Sequence, residues 1–261
     1  MGNYVLPLIL TLLAGMSTLL GGFVTFFIKR NNLKALSVGL GFSAGVMVYV
    51  SLSELISQAA VMMEVYYSVT LAKAMTFGGF FIGIIVAVLI DYFIPDHIEG
   101  DFLGGNTRHQ QRHKIKRAGL ITAIAVALHN FPEGMATFLV SSQNLALGVP
   151  VAIAIAIHNI PEGIAIALPI FHSTGKKRLA VLYSFLSGIS EPIGGLLGVL
   201  LLKTVMGEEM VGFMTSAVAG IMVYLSFDTL LPLAREYGEN HHVIIGIIAG
   251  MLVMGFSLIF L

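Results

Sequence analysis

Two stretches of this chain place ligand-type side chains at the same spacing. Residues 129–134 read His-Asn-Phe-Pro-Glu-Gly and residues 158–163 read His-Asn-Ile-Pro-Glu-Gly. A third stretch holds Glu191 and Pro192. All three lie in the middle of long apolar runs, where an ionisable side chain costs roughly 2.5–3.5 kcal/mol on insertion scales. Three carboxylates at one depth would cost on the order of 8–10 kcal/mol uncompensated, which is comparable with the stability of a whole fold. A cation that comes and goes is the chemistry that offsets this cost. His129 and Glu133 are four residues apart and share a helical face. With about 100° per residue, His129 lies at 0°, Glu133 near 40° and Asn130 near 100°. His158, Glu162 and Asn159 repeat this arc. Facing arcs put the glutamates in the centre, with histidines on one side and asparagines on the other. The expected site holds one metal on the histidine side. It has room for a second on the asparagine side, bridged by the glutamates and completed by Glu191. Imidazole with carboxylate and amide oxygens suits Zn²⁺, Fe²⁺, Mn²⁺, Co²⁺ or Cd²⁺. The chain has no cysteine, so thiolate sites and disulfides are excluded. Pro132 and Pro161 carry no N–H, which frees the carbonyls of Leu128 and Ile157; freed carbonyls at membrane depth line polar cavities.

These residues need helices that cross a bilayer. Of 261 residues, 57% are hydrophobic and 11% charged, far below the charge of a soluble domain. A net charge of zero argues against nucleic acid as a partner. Eight runs approach the ~20 apolar residues that span hydrocarbon: roughly 4–28, 36–60, 71–94, 118–141, 148–170, 179–203, 212–233 and 243–261. Met1 to Pro7 lack the basic flank of a signal peptide, so the first run is expected to be a true span. The expectation is an all-α integral membrane protein, one transmembrane transporter domain over 1–261, with a loop at 95–117. Twelve of the 14 Lys and Arg fall on one side of this arrangement, including Lys29, Arg30, Lys34, the 108–117 cluster, Lys176, Lys177, Arg178 and Arg235. The positive-inside rule makes that side cytoplasmic and puts both termini outside, in the cytoplasmic (inner) membrane. The 95–117 loop holds His97, His109 and His113, which set no geometry; it reads as a solvated linker.

The chain also repeats itself. Residues 44–55 (AGVMVYVSLSEL) and 219–230 (AGIMVYLSFDTL) match at seven of twelve positions. They lie on the second and seventh spans, which run in opposite directions, as do the two hexapeptides on the fourth and fifth. Oppositely oriented repeats around a central site are the mark of a secondary transporter. Met47, Ser51 and Glu54 on the second span, with Met222 and Asp228 on the seventh, are candidates for the route to the site.

On HNFPEG at 129–134, HNIPEG at 158–163 and SGISEPIGG at 187–195, the chain resembles the ZIP family of zinc and iron transporters, in its bacterial ZupT-like branch. The resemblance implies an eight-span fold with an inverted repeat and uptake of divalent metals into the cytoplasm. It implies ligation by His129, Asn130, Glu133, His158, Asn159 and Glu162, with Glu191 from the sixth span. The metal ions, zinc first and iron, manganese, cobalt or cadmium beside it, are cargo; no cofactor is expected. The partners are these ions and the lipid bilayer, with a homodimer left open. An intramembrane zinc protease would need His-Glu-x-x-His on one helix, a string the chain lacks. A permease for organic solutes would need arginine or aromatic contacts, yet no Lys or Arg lies near a midplane. The chain is therefore read as a transporter and not an enzyme.

Overall fold

The computed structural model describes residues 4–93, 107–201 and 208–260. Asp96, His97, Glu99, Asp101 and Lys203 lie outside the described residues. Among the described residues there is no strand. Eight helices are long and apolar enough to cross a membrane. The first three are Val5–Phe26, Leu33–Glu64 and Val69–Phe93. The fourth is Thr107–Gln143 and the fifth Leu145–Thr174. The sixth runs as Lys177–Gly188 and Ser190–Leu201. The seventh comprises Glu208–Tyr224, Leu225–Leu230 and Leu231–Tyr237, and the eighth is Asn240–Phe260.

Two of these differ from the sequence reading. The fourth helix begins at Thr107, inside the stretch read as loop. From Thr107 to Ala118 the chain has no Gly or Pro and consists largely of Arg, Lys and Gln, which favour helix. The sixth helix breaks at Ile189, because Pro192 has no N–H for the carbonyl of Gly188. Asn32 caps the second helix by accepting from the Ala35 N–H at 3.1 Å. At the far end of the fifth, Gly175 adopts the left-handed conformation at φ 74°. Arg30 donates to the freed carbonyls of His172 and Ser173 there, at 3.2 and 2.8 Å. His172 is buried in this junction beside the carbonyls of Leu168 and Asn32.

Besides the contact of the fourth with the fifth, four pairs of helices pack backbone to backbone: first with fifth, fourth with sixth, second with eighth, and third with seventh. Glycines set the pairs, since only a missing Cβ lets one backbone rest on another. A Cβ on Gly163 would strike the Thr18 carbonyl, and one on Gly134 would strike the Glu191 carbonyl. Gly21 opposes the Ile160 carbonyl as Gly194 opposes that of Phe131. Gly45 meets Ile247 as Gly220 meets Phe80, and Gly250 meets Phe42 as Gly83 meets Ala217. Each contact has a counterpart, and the counterparts match the first helix to the sixth, the second to the seventh, the third to the eighth and the fourth to the fifth. Matched helices run oppositely, so the chain is an inverted repeat wrapped around its fourth and fifth helices.

The repeat extends to backbone detail. Ser51–Leu55 and Leu225–Leu230 are both π-helical. Ser51 donates to the Met47 carbonyl at 2.6 Å, and its counterpart Ser226 donates to the Met222 carbonyl at 2.8 Å. Single π turns of this kind gather at functional sites. The third and eighth helices lie at the periphery and present apolar side chains outward, among them Phe77, Ile85, Leu252 and Phe256; in a bilayer this surface faces lipid.

The glycine contacts make a direct prediction. Gly134→Val and Gly163→Val force backbones apart and lower stability by about 1–3 kcal/mol or more. Gly78→Val, with open space around it, leaves the melting temperature unchanged. Thermal unfolding of detergent-purified protein, followed by loss of the monodisperse peak, checks both outcomes.

Candidate metal centre

The two hexapeptides meet at the contact of the fourth and fifth helices. His129, Asn130 and Glu133 are buried there with His158, Asn159 and Glu162, and Glu191 joins them from the sixth helix. The pairing crosses between helices. His129 Nε2 lies 2.8 Å from Glu162 Oε1, and His158 Nε2 lies 2.8 Å from Glu133 Oε1. The two pairs are counterparts under the pseudo-two-fold axis. Each imidazole is aimed by the helix it does not belong to, so the relative rotation of the two helices fixes the centre.

The asparagines bind the outer helices. Asn159 Nδ2 donates to the Ala14 carbonyl at 3.0 Å and to Glu191 Oε2 at 2.7 Å. Asn130 reaches toward the Ser187 carbonyl, the counterpart of Ala14, at 3.5 Å. Turned over, its nitrogen faces Glu162 Oε2 and the Val126 carbonyl, each at 3.2 Å, which satisfies both ends of the amide. The prolines leave this helical frame intact at Pro132 and Pro161. Ser43 on the second helix donates to the Pro161 carbonyl at 2.6 Å. Ser187 donates to the Ala123 carbonyl at 2.7 Å.

The donor set is hard oxygen with imidazole nitrogen. Glu133 Oε2, Asn159 Oδ1 and Glu191 Oε1 are buried without a hydrogen-bond partner. Such orphaned acceptors are costly, and carboxylate and amide oxygens are donors that suit a divalent cation. Among the described residues, no three His, Asp or Glu side chains form a finished coordination shell. The imidazoles are engaged by carboxylates instead, and a cation has to part those pairs to be ligated.

A cavity of about 210 Å³ leads to this locus from one end of the bundle. Glu133 and His158 sit in its wall, with Glu54, Gln58 and Met62 of the second helix, Thr137 and Val140 of the fourth, and Pro150 and Ile155 of the fifth. This is the end opposite the connections rich in Lys and Arg. The counterpart region at the other end is packed shut. Val126, Ile166 and Leu230, counterparts of Ile155, Thr137 and Leu55, expose no surface. The site is open on one side and sealed on the other.

Of the route candidates, Glu54 lines the cavity. Met47 and Met222 are fully buried in the apolar core, and Ser51 bonds to its own helix. Asp228 is exposed on the sealed half of the seventh helix. None of these four is brought to the centre. Gln58, Thr137 and Thr215 in the cavity wall, and Thr18 beside the centre, escaped the sequence reading. Thr18 is the counterpart of Glu191, fully buried, and its hydroxyl has no partner. A signal for it exists, because Gly15–Gly22 (GMSTLLGG) aligns with Gly188–Gly195 (GISEPIGG) at four of eight positions.

The crossed pairs predict energetic coupling. His129→Ala and Glu162→Ala each lower the thermal stability of purified protein. The double variant loses less than the sum, with a coupling of about 1–3 kcal/mol. His129→Ala with Glu133→Ala, which are not paired, shows a smaller coupling in the same melts.

A family model described as ZIP zinc transporter matches residues 96–258. The chain is 46% identical over 276 residues to the zinc transporter ZupT of Clostridium perfringens, covering 99% of this chain and 97% of that protein. It is 45% identical to the zinc transporter ZupT of Akkermansia muciniphila, with 96% of each chain covered. It is 46% identical to that of Streptococcus mutans, again over 96% of each.

Proposed function

The chain belongs to the ZIP family of zinc transporters, a multi-pass membrane protein and not an enzyme, and from this premise we propose that it carries zinc into the cytoplasm through the centre between its fourth and fifth helices. Zinc comes first, and iron, manganese, cobalt and cadmium share the ligand chemistry. The ligands are His129, Glu133, His158 and Glu162, with Asn130, Asn159 and Glu191 toward the sixth helix. The observation that carries the reading is the convergence of three glutamates and two histidines from three helices in the buried middle of the bundle.

The arrangement favours one ion between the crossed pairs, with a second position at Asn159 and Glu191, whose free oxygens face no other partner. Loading displaces protons. An imidazole that donates from Nε2 to a carboxylate must give up that proton before Nε2 can ligate a metal. The buried pairs thus exchange a proton for part of the cation's charge, which keeps the interior near neutrality throughout.

Access alternates. The cavity serves the outer face and the sealed counterpart serves the cytoplasmic face, given termini outside and basic connections inside the cytoplasmic membrane. Supporting this is the inverted repeat: the two halves share one backbone design, so each can adopt the packing of the other. The fourth and fifth helices, with their first and sixth partners, move as a body against the second, third, seventh and eighth. A homodimer, if formed, would use the apolar periphery.

Two measurements test the proposal. Proteoliposomes take up radioactive zinc, and Glu133→Ala or Glu162→Ala lowers the rate at least tenfold while leaving the purified protein folded; unchanged uptake would reject the site. The chain has no cysteine, so single cysteines report topology cleanly. Ser68→Cys is labelled by an impermeant maleimide on intact cells, whereas Asn31→Cys is labelled only after permeabilisation.

A further inference from the structure

We infer that Glu54, held by Gln58, captures the incoming divalent cation in the outer cavity and sets how fast the central site is loaded. The inference rests on the transport reading above and adds a residue whose role is loading. Glu54 sits in the π-helical turn Ser51–Leu55, where the widened backbone turns the side chain off the ordinary helical register. Its Oε1 accepts from Gln58 Nε2 at 2.5 Å. The partner is a neutral amide, which orients the carboxylate without bringing a compensating charge. Both residues line the same cavity as Glu133 and His158. At its inner end lies Glu133 Oε2, buried and without a partner.

The rest of the cavity wall strengthens the effect. Val50, Leu55, Ala136, Val151 and Val218 make it largely apolar, and no Lys or Arg lines it among the described residues. A single carboxylate between low-dielectric walls focuses its field into the passage and raises the local concentration of cations. The hydroxyls of Thr137 and Thr215 donate to their own helices, at 2.8 and 2.9 Å, so their oxygen lone pairs are what remain for a cation or its water.

The inverted repeat supplies an internal control. The counterparts of Glu54 and Gln58 on the seventh helix are Thr229 and Leu233, which carry no charge. On the sealed side Asp91, the counterpart of cavity-lining Leu258, is paired with Arg117 at 3.2 Å, and Asp228, the counterpart of Ser53, lies beside Tyr224. The carboxylate that lines the open cavity therefore has an uncharged residue at its own position on the sealed face. This asymmetry cannot move the equilibrium gradient, because a fixed residue changes rates in both senses alike. It lowers the concentration of external cation needed for loading.

The test is zinc uptake kinetics in proteoliposomes containing the full chain. Uptake by the unaltered protein comes first; without it the transport reading and this inference both fall. Given that uptake, Glu54→Gln raises KM about 5–20-fold at low ionic strength with kcat nearly unchanged, and the difference shrinks in high salt as the field is screened. Glu54→Asp retains most of the low KM. Gln58→Ala raises KM less than Glu54→Gln. Efflux from loaded vesicles, initiated at the cytoplasmic face, keeps the KM of the unaltered protein while its kcat falls by the factor that uptake loses in kcat/KM, as the fixed equilibrium requires. An unchanged uptake KM in a well-folded Glu54→Gln protein overturns the inference and leaves the transport reading standing. So does a fall in kcat with KM unmoved, which would make Glu54 a structural residue of its π turn.

Discussion

Carboxylates and imidazoles in the oily middle of a bundle need partners for their polar atoms. The crossed pairs His129–Glu162 and His158–Glu133 meet this requirement, and the surrounding packing serves it. The pairs run between the fourth and fifth helices and not along either one. An imidazole four residues from its own glutamate could have bonded within one helix. Pairing across instead makes the charge balance depend on the contact of the two helices, so a cation that parts the pairs acts directly on that contact. Buried pairs like these contribute little net stability, and breaking one by removing a partner is costly. They suit a site that opens only to an ion able to replace the proton they share.

Such a contact has to be held from outside, and the glycine seams do this. Gly163 lets the first helix lie on the fifth, and Gly134 lets the sixth lie on the fourth. Through these seams Ala14 reaches Asn159, and Glu191 reaches the same asparagine. The centre is therefore carried by four helices packed backbone to backbone. The second and seventh helices touch this body through side chains and carry the π turns. The division into a close-packed carrier and an outer frame follows from where glycine is available for backbone contact and where it is not.

How much of this the sequence disclosed depended on contiguity. The hexapeptides were legible because each puts its ligands within one turn and a half of one helix, where periodicity is a sufficient guide. The fold class followed from apolar run length, and the repeat of 44–55 in 219–230 followed from identity. Other features lay in tertiary geometry. A helical wheel gives the face that carries His129 but not the glutamate it meets, which is 33 residues away. Met47 and Met222 drew notice as equivalent sulfurs, yet both are core packing residues; equivalence in a repeat marks shared architecture as readily as shared function. Gln58, Thr137 and Thr215 come together only when three helices converge on one cavity. The match of the first helix to the sixth was hidden by chemistry, because Thr18 stands where Glu191 does.

That last substitution bears on why a symmetric frame yields a directional protein. The inverted repeat supplies two equivalent scaffolds, and any residue identical in both serves the two faces equally. His129 and His158, Glu133 and Glu162, and Asn130 and Asn159 are such residues, and they stand at the centre where both faces must see the same site. Departures from identity surround them. Glu191 has Thr18 as its counterpart, Glu54 has Thr229, and Asp91 with its Arg117 partner answers Leu258. In the proposed function symmetric residues define what is bound, because the site must hold the ion in either orientation of the frame. Asymmetric residues define how the ion arrives and leaves, because only they let one face differ from the other. In the proposed function a carboxylate at Glu191 and none at Thr18 would bias a bound ion toward the sixth helix, and the orphaned hydroxyl of Thr18 marks the place where the frame kept its shape and the charge was left out.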